Sequence, residues 1–276
     1  MLAGLIIVFR EAFEAGLIIG IVMAVTGGVP RRGYWIIGGV AAGVLGACIV
    51  ATFAGALSSA FSGVGQELFN ASILSVAVIM LCWHNVWMAR HGRELAVEMR
   101  QAGQAVIDGS KSLASLAVVV GVAVLREGFE VVLFLYGVAA SNAGSGWQVL
   151  GGGIIGLVLA SLTCVLTYRG LVTIPSRYLF SVTSVMIIFL AAGMAAQATA
   201  FLEQANAVTA LGGVAWDSSW LLSDSSLLGR ALHTLIGYSD QPTQMQLLVY
   251  LTTVVVIWVL MRRLSSPRMR QVRATS

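Results

Sequence analysis

The sequence predicts an all-α integral membrane protein with seven transmembrane helices, and three observations lead to this fold class. Hydrophobic residues fill 58% of the 276 positions and charged residues only 10%, whereas an ordinary soluble domain has roughly 25% charged residues. Seven stretches are apolar over about 20 residues, the length that crosses a bilayer as a helix. The basic residues, finally, collect on one side of the topology that these stretches define.

The seven apolar stretches are separated by connections of unequal length. They lie near residues 2–27, 34–57, 68–90, 113–140, 147–169, 178–202 and 244–262. The first is not expected to be a cleaved signal peptide, because it has no basic N-terminal region and three charged residues interrupt its apolar run. Residues 91–112 form a charged cytoplasmic connection that we expect to be partly helical. In the outer segment, about 203–243, helical spacing of apolar residues predicts a short amphipathic helix lying on the outer membrane surface.

The distribution of Arg and Lys predicts the orientation, since cytoplasmic loops carry the excess of basic residues. Thirteen of the sixteen basic residues fall on one side, Arg230 alone falls on the other, and Arg10 and Arg126 lie within the membrane. The thirteen are Arg31, Arg32, Arg90, Arg93, Arg100, Lys111, Arg169, Arg177, Arg262, Arg263, Arg268, Arg270 and Arg273. The N-terminus is therefore predicted outside and the C-terminus in the cytoplasm. The net charge of +4 reflects this topology. It does not indicate a nucleic-acid partner, which would need a basic face on a soluble domain.

An internal repeat organises the chain into one transporter domain. Phe9-Arg10-Glu11-Ala12-Phe13-Glu14 in the first stretch returns as Leu125-Arg126-Glu127-Gly128-Phe129-Glu130 in the fourth, 116 residues later. This offset equals three helices with their loops, and because three is odd, helices 1–3 and helices 4–6 cross the membrane in opposite senses. We predict an inverted 3+3 repeat, about 1–90 and 113–203, with a seventh helix appended. Transporters with such repeats bind substrate near the bilayer midplane at the repeat interface.

The two motifs predict a cation site inside the membrane. On a helix turning 100° per residue, Arg10, Glu11 and Glu14 share one 100° arc, and the Arg and the second Glu can form an intrahelical ion pair. A single charge at the bilayer centre costs about 2.5–3.5 kcal/mol on insertion scales, and this chain places six there in two equal patterns. Each motif sums to −1, so a cation would relieve the repulsion among four carboxylates. Two other interpretations stay open: a structural ion-pair lock between helices and a proton relay.

Carboxylate oxygens favour hard cations, and the motifs contain no Cys, His or Met. From the residues alone, iron, manganese, magnesium and calcium all remain possible substrates. His84, beside Trp83 and Asn85 near the predicted inner end of the third helix, is interpreted as an interfacial anchor. Glu203, at the outer end of the sixth helix, is a possible entry residue, and a solvated helix end is an equally good interpretation.

Two Arg-Glu-x-x-Glu motifs in helices 1 and 4 of a seven-helix chain resemble the oxidase-dependent iron permease family. Gln66-Glu67-Leu68-Phe69 also resembles that family, although a second Glu often follows there and this chain has Asn70. The Leu190-Ala191-Ala192-Gly193 run and the Gly237-Tyr238 pair are further matches. The resemblance covers essentially the whole chain.

The resemblance implies an iron permease that imports iron across the bacterial cytoplasmic membrane, with iron as the transported substrate and no cofactor. It implies that Glu11, Glu14, Glu127 and Glu130, supported by Arg10 and Arg126, form the translocation site, and that Glu67 is an entry ligand at the outer mouth. An extracytoplasmic ferroxidase or iron-binding protein is the implied partner. The oligomeric state is left open, a homo-oligomer included.

Two alternative functions remain open from the sequence. One is transport of another metal, such as lead or manganese, on the same scaffold. The other is a non-transporting membrane assembly subunit whose ion pairs lock its helices. An enzyme is not expected, because the sequence has no nucleophile–base arrangement and no cofactor-binding motif.

Overall fold

The computed structural model of the chain describes residues 1–60, 65–140, 146–170, 176–224 and 226–265, and within these ranges it is all-α. The helices are α1 (Leu2–Val25), α2 (Arg32–Ala60), α3 (Gln66–Ile107), α4 (Ala114–Ala140), α5 (Gly146–Tyr168), α6 (Ser176–Gln204), α7 (Leu227–Ile236) and α8 (Gln244–Ser265). The only β pairing in the described ranges is an isolated antiparallel bridge between Val214 and Thr243. The predicted all-α class is confirmed.

Five of the described helices, namely α2, α3, α5, α6 and α8, are long and apolar enough to cross a membrane. Helices α1 and α4 have comparable lengths, but three charged residues interrupt the middle of each. At 1.5 Å per residue, a 24-residue helix such as α1 is about 36 Å long, which exceeds the roughly 30 Å hydrocarbon core. Charge, and not length, therefore distinguishes α1 and α4 from the other five.

Helix α3 continues well beyond its apolar part. Its apolar span ends at Met88, yet the helix runs to Ile107, so most of the expected connection 91–112 is helical. Val106, near the end of α3, packs with Val22 of α1, Ile36 of α2 and Leu116 of α4. The last turns of α3 thus cover one end of the bundle.

The helices that carry the two motifs are each paired closely with a partner helix. Helix α1 packs along α5, α2 packs along α4, and α1 and α4 also contact each other. Glycines allow this approach: a Cβ atom on Gly156 of α5 would lie 3.0 Å from the Phe9 amide nitrogen, and one on Gly43 of α2 would lie 2.7 Å from the Gly121 carbonyl oxygen. Small residues let helix backbones approach within the membrane in this way.

The interior and the periphery of the bundle are both apolar. The main core joins α1, α3, α4, α5, α6 and α8 around fully buried residues such as Leu74, Phe134 and Ala191. Outward-facing side chains on the peripheral helices are equally apolar, including Ile49 and Phe53 of α2 and Ile154 of α5, which are 64–71% exposed. A surface of this kind matches lipid as its solvent.

Helix α7 is present as predicted, and its C-terminal end packs against the side of α6. Ser226 caps its N-terminus by accepting from the Gly229 amide, and Gly237 ends it with a left-handed φ of 68°. A Cβ atom on Gly193 of α6 would lie 2.6 Å from the Gly237 Cα. Gly193 precedes the end of α6 by three turns, about 16 Å along the axis. The end of α7 is therefore inserted beside α6, and this contact joins two segments that resemble the iron permease family.

Candidate metal centre

Both Arg-Glu-x-x-Glu motifs lie in the middle of their helices, and the glutamates of both point into the bundle. All four glutamates of the motifs are buried, with 0–6% of their surface exposed: Glu11, Glu14, Glu127 and Glu130. The helical periodicity explains this placement, because residues at positions i, i+3 and i+4 share one face. Contact between α1 and α4 then brings the two acidic faces together.

The expected intrahelical ion pairs form in both motifs. Arg10 Nε donates to Glu14 Oε1 at 3.0 Å, and Arg126 Nε donates to Glu130 Oε1 at 3.4 Å. Each arginine therefore compensates the second glutamate of its own motif. Arg10 also lies 3.9 Å from Glu11, measured from Nη1 to Oε1.

His84 of α3 lies among these carboxylates, so its interpretation as an interfacial anchor was wrong. Its Nε2 atom is 3.4 Å from Glu14 Oε2 and 3.6 Å from Glu11 Oε2, and its Nδ1 atom contacts Glu130 Oε2. The residue is 2% exposed. The anchor interpretation failed because the apolar stretch ends near position 88 while α3 does not, which places His84 inside the bundle and not at a helix end.

Four side chains from three helices converge on one point. One ligand atom each from Glu11, His84, Glu127 and Glu130 lies within 4.8 Å of the others. It is the one such group of three or more His, Cys, Asp or Glu residues in the described part of the chain, and all four members are buried. Glu14 borders this group through His84 and Arg10. A cation at this point would meet three carboxylates and one imidazole.

Several buried carboxylate oxygens of the group accept no hydrogen bond from the described residues. Neither carboxylate oxygen of Glu11 accepts a hydrogen bond from the described residues, and the same holds for Glu127 Oε2. Buried carboxylate oxygens without partners are strongly unfavourable in an apolar interior. When the bordering Glu14, Arg10 and Arg126 are included and every carboxylate is ionised, four carboxylates and two guanidinium groups sum to −2 before His84 is counted, so a bound cation would supply the missing compensation.

The two arginines have different environments although their motifs have the same pattern. The Arg10 side chain is 1% exposed and the Arg126 side chain is 38% exposed. The guanidinium carbon of Arg126 lies 4.2 Å from the centroid of the Trp87 ring, a cation–π geometry. Trp87 is one turn beyond His84 on α3, so the same face of α3 contacts both motifs.

The structure does not bring the remaining predicted residues into this group. Glu67 is exposed in the first turn of α3, seventeen positions before His84 and therefore about 25 Å from it along the helix axis. Glu203 accepts hydrogen bonds from Thr243 Oγ1 at 2.8 Å and Gln246 Nε2 at 2.9 Å. These contacts tie the end of α6 to the start of α8, which is a structural role.

The structure does not describe several of the basic residues from which the orientation is predicted. Arg268, Arg270 and Arg273 are outside the described residues, and the side chains of Arg90, Arg93, Arg177 and Arg230 are likewise not described. Of the others, Arg32 donates from Nη1 to the Met23 carbonyl oxygen at 2.8 Å, which caps the end of α1.

Comparison with known proteins identifies the family of the chain. The model of the "Iron permease FTR1 family" matches residues 1–269. Proteins named "Ferrous iron permease EfeU" are similar to the chain: that of Yersinia pestis is 32% identical over 91% of this chain and 89% of its own length. The protein of the same name from Escherichia coli O6:K15:H31 is 31% identical over 99% of this chain and 100% of its own length. No solved structure matches.

Proposed function

The chain belongs to the iron permease FTR1 family and is an iron permease, and from this premise we propose that iron crosses the membrane through the cluster of Glu11, His84, Glu127 and Glu130. The observation that carries the proposal is the convergence of these four buried ligand groups within 4.8 Å. Arg10 and Arg126 border the cluster, orient its carboxylates and lower the cost of the cation-free state, and Glu14 adds a fourth carboxylate beside it. Iron is the cargo of this site and no cofactor is needed.

The site lies at the interface of a proposed inverted repeat with seven transmembrane helices. Helices α1 and α4 join the five apolar helices, since their charged residues face one another inside the bundle. The packing supports the repeat: α1 pairs with α5 while α2 pairs with α4, and α3 pairs with α6. A two-fold axis in the membrane plane that exchanges helices 1–3 with helices 4–6 would produce this pattern. A cation at the interface could then be released to alternate sides by rocking of one repeat against the other.

We propose that iron enters from the extracytoplasmic side, with the N-terminus outside and the C-terminus in the cytoplasm, as the basic residues indicate. Glu67, exposed at the start of α3, would be an entry ligand at the outer mouth. Glu203 is less suited to this role because Thr243 and Gln246 already occupy both of its carboxylate oxygens. The relatives are named ferrous iron permeases, and we propose that this chain, too, is supplied with ferrous iron. Its proposed partner is an extracytoplasmic ferroxidase or iron-binding protein.

The test is uptake of labelled iron into iron-starved cells that express the chain, with ferrous and ferric iron offered separately. We expect Glu127→Gln to abolish uptake while the protein remains in the membrane, because one of the converging carboxylates is neutralised. Glu94→Gln is the matched control, since the Glu94 side chain is 70% exposed on the extension of α3. Near-normal uptake by Glu127→Gln would refute the site, and competition by manganese, lead and calcium would measure its selectivity.

A further inference from the structure

His84 gives the carboxylate cluster a nitrogen donor that neither motif contains. The chain has three histidines, and His84 is the one inside the bundle; the sequence of α6, the counterpart of α3 in the proposed repeat, has none. The predicted site was therefore all-oxygen, whereas the folded site offers three carboxylates and one imidazole. This change of donor set has consequences for which metals bind.

The imidazole is positioned as a ligand and not as a packing residue. Both ring nitrogens face carboxylate oxygens: Nε2 faces Glu11 and Glu14 at 3.4–3.6 Å, and Nδ1 contacts Glu130. Apart from these carboxylates, neither ring nitrogen has a hydrogen-bond partner among the described residues. One nitrogen can coordinate a metal while the carboxylate at the other holds the ring in place, which is the usual environment of a metal-bound histidine.

An imidazole discriminates strongly between classes of divalent cation. Ca²⁺ and Mg²⁺ take oxygen ligands almost exclusively, and a site with four carboxylates alone would hold them well. Imidazole favours first-row transition metals such as iron. Replacing one oxygen donor by His84 therefore weakens binding of Ca²⁺ and Mg²⁺ and preserves binding of Fe²⁺.

We propose that His84 is the specificity-determining residue of the site, which selects transition-metal ions over Ca²⁺ and Mg²⁺ by direct coordination. The inference rests on the proposed function, since it assigns a role within the same cluster. It predicts that loss of His84 changes the ratio of affinities among metals, and a merely structural role would not move that ratio.

The first experiment compares the wild type with His84→Asn and with His91→Asn, the same change two turns further along α3 at a histidine whose side chain is 32% exposed. Labelled Fe²⁺ uptake is measured with and without a large excess of Ca²⁺ or Mg²⁺, and Fe²⁺ and Ca²⁺ binding is measured on the purified proteins. We expect His84→Asn to lower the Fe²⁺-to-Ca²⁺ affinity ratio by about tenfold or more, the scale of metal-site perturbations. His91→Asn should leave the ratio unchanged. An unchanged ratio in a folded His84→Asn protein would overturn the inference.

A second measurement uses the wild-type chain and does not depend on how a variant folds. Purified protein is loaded with Mn²⁺ alone, and pulsed electron paramagnetic resonance detects nuclear coupling to a directly bound nitrogen. A nitrogen coupling in the wild type supports coordination by His84, and its absence from Mn²⁺ bound in the cluster overturns it. Failure of the proposed function appears differently: Glu127→Gln would then leave iron uptake intact, whatever the His84 variant does.

Discussion

The unequal burial of the two arginines predicts that identical substitutions in the two motifs have unequal effects on stability. We compare Arg10→Gln with Arg126→Gln, each of which removes one guanidinium charge and keeps a polar side chain. Arg10 is 1% exposed and contacts both glutamates of its motif, at 3.0 Å and 3.9 Å. Arg126 is 38% exposed and pairs with Glu130 at 3.4 Å.

The magnitudes follow from these environments. Removing one partner of a fully buried ion pair costs about 3–5 kcal/mol, because the remaining charge is left uncompensated. Glu130 is buried as well, but the Arg126 side chain is 38% exposed, so solvent screens this pair and its contribution is about 0–1 kcal/mol, to which the contact with the Trp87 ring adds about 0.5–1 kcal/mol. We therefore expect Arg10→Gln to be the more destabilising change by about 2–3 kcal/mol, and its apparent melting temperature to be lower by several degrees.

The assay is thermal unfolding of both variants in the same detergent, followed by intrinsic fluorescence, with Arg10→Lys as the control that restores the charge. Arg10→Lys should recover part of the lost stability. Equal losses for the two Gln variants, or a larger loss for Arg126→Gln, would refute the argument from burial.

Two further predictions concern helix packing and the outer segment. Gly43→Ala and Gly156→Ala should each lower stability by about 1–3 kcal/mol, because the added methyl group meets the backbone of the paired motif helix. Gly38→Ala and Gly151→Ala on the same two helices meet nothing within 4 Å and should be neutral or slightly stabilising in thermal unfolding; equal effects at all four sites would contradict the packing. In the outer segment, burial and the charge of Asp240 raise the pKa of Asp224, whereas hydrogen bonds from Ser219 lower the pKa of Asp217. A raised carboxylate pKa means that folding is favoured most below the ordinary value of 3.8 and less as the pH rises through the folded value, while a lowered pKa gives the reverse. Asp224→Asn should therefore slow hydrogen exchange of residues 205–243 at neutral pH, and Asp217→Asn should speed it. Both differences should shrink in acid, and changes of the opposite sign would refute the assignment.

Much of the fold could be predicted from the sequence because its main signals are local. Apolar run length alone located every described helix that is long and apolar enough to cross the membrane. The helical spacing of apolar residues in the outer segment predicted α7. The i, i+4 spacing of Arg10 and Glu14 predicted their ion pair, which depends only on one turn of one helix. The expectation that residues 91–112 are partly helical is confirmed, but the point where α3 ends could not be predicted, because hydropathy does not report on a helix that continues beyond the apolar region.

The sequence by itself therefore determined the membrane class, the doubled motif and the acidic residues of the candidate site. Only the tertiary structure decided that His84 joins Glu11, Glu127 and Glu130, that Arg10 is buried while Arg126 is partly exposed, and that the end of α7 lies beside Gly193. Each of these features depends on which helix faces pack together, and the local sequence does not show which distant residues come into contact. The donor set of a site between helices is a property of the packing, whereas the charges that make a site necessary can be read from the chain.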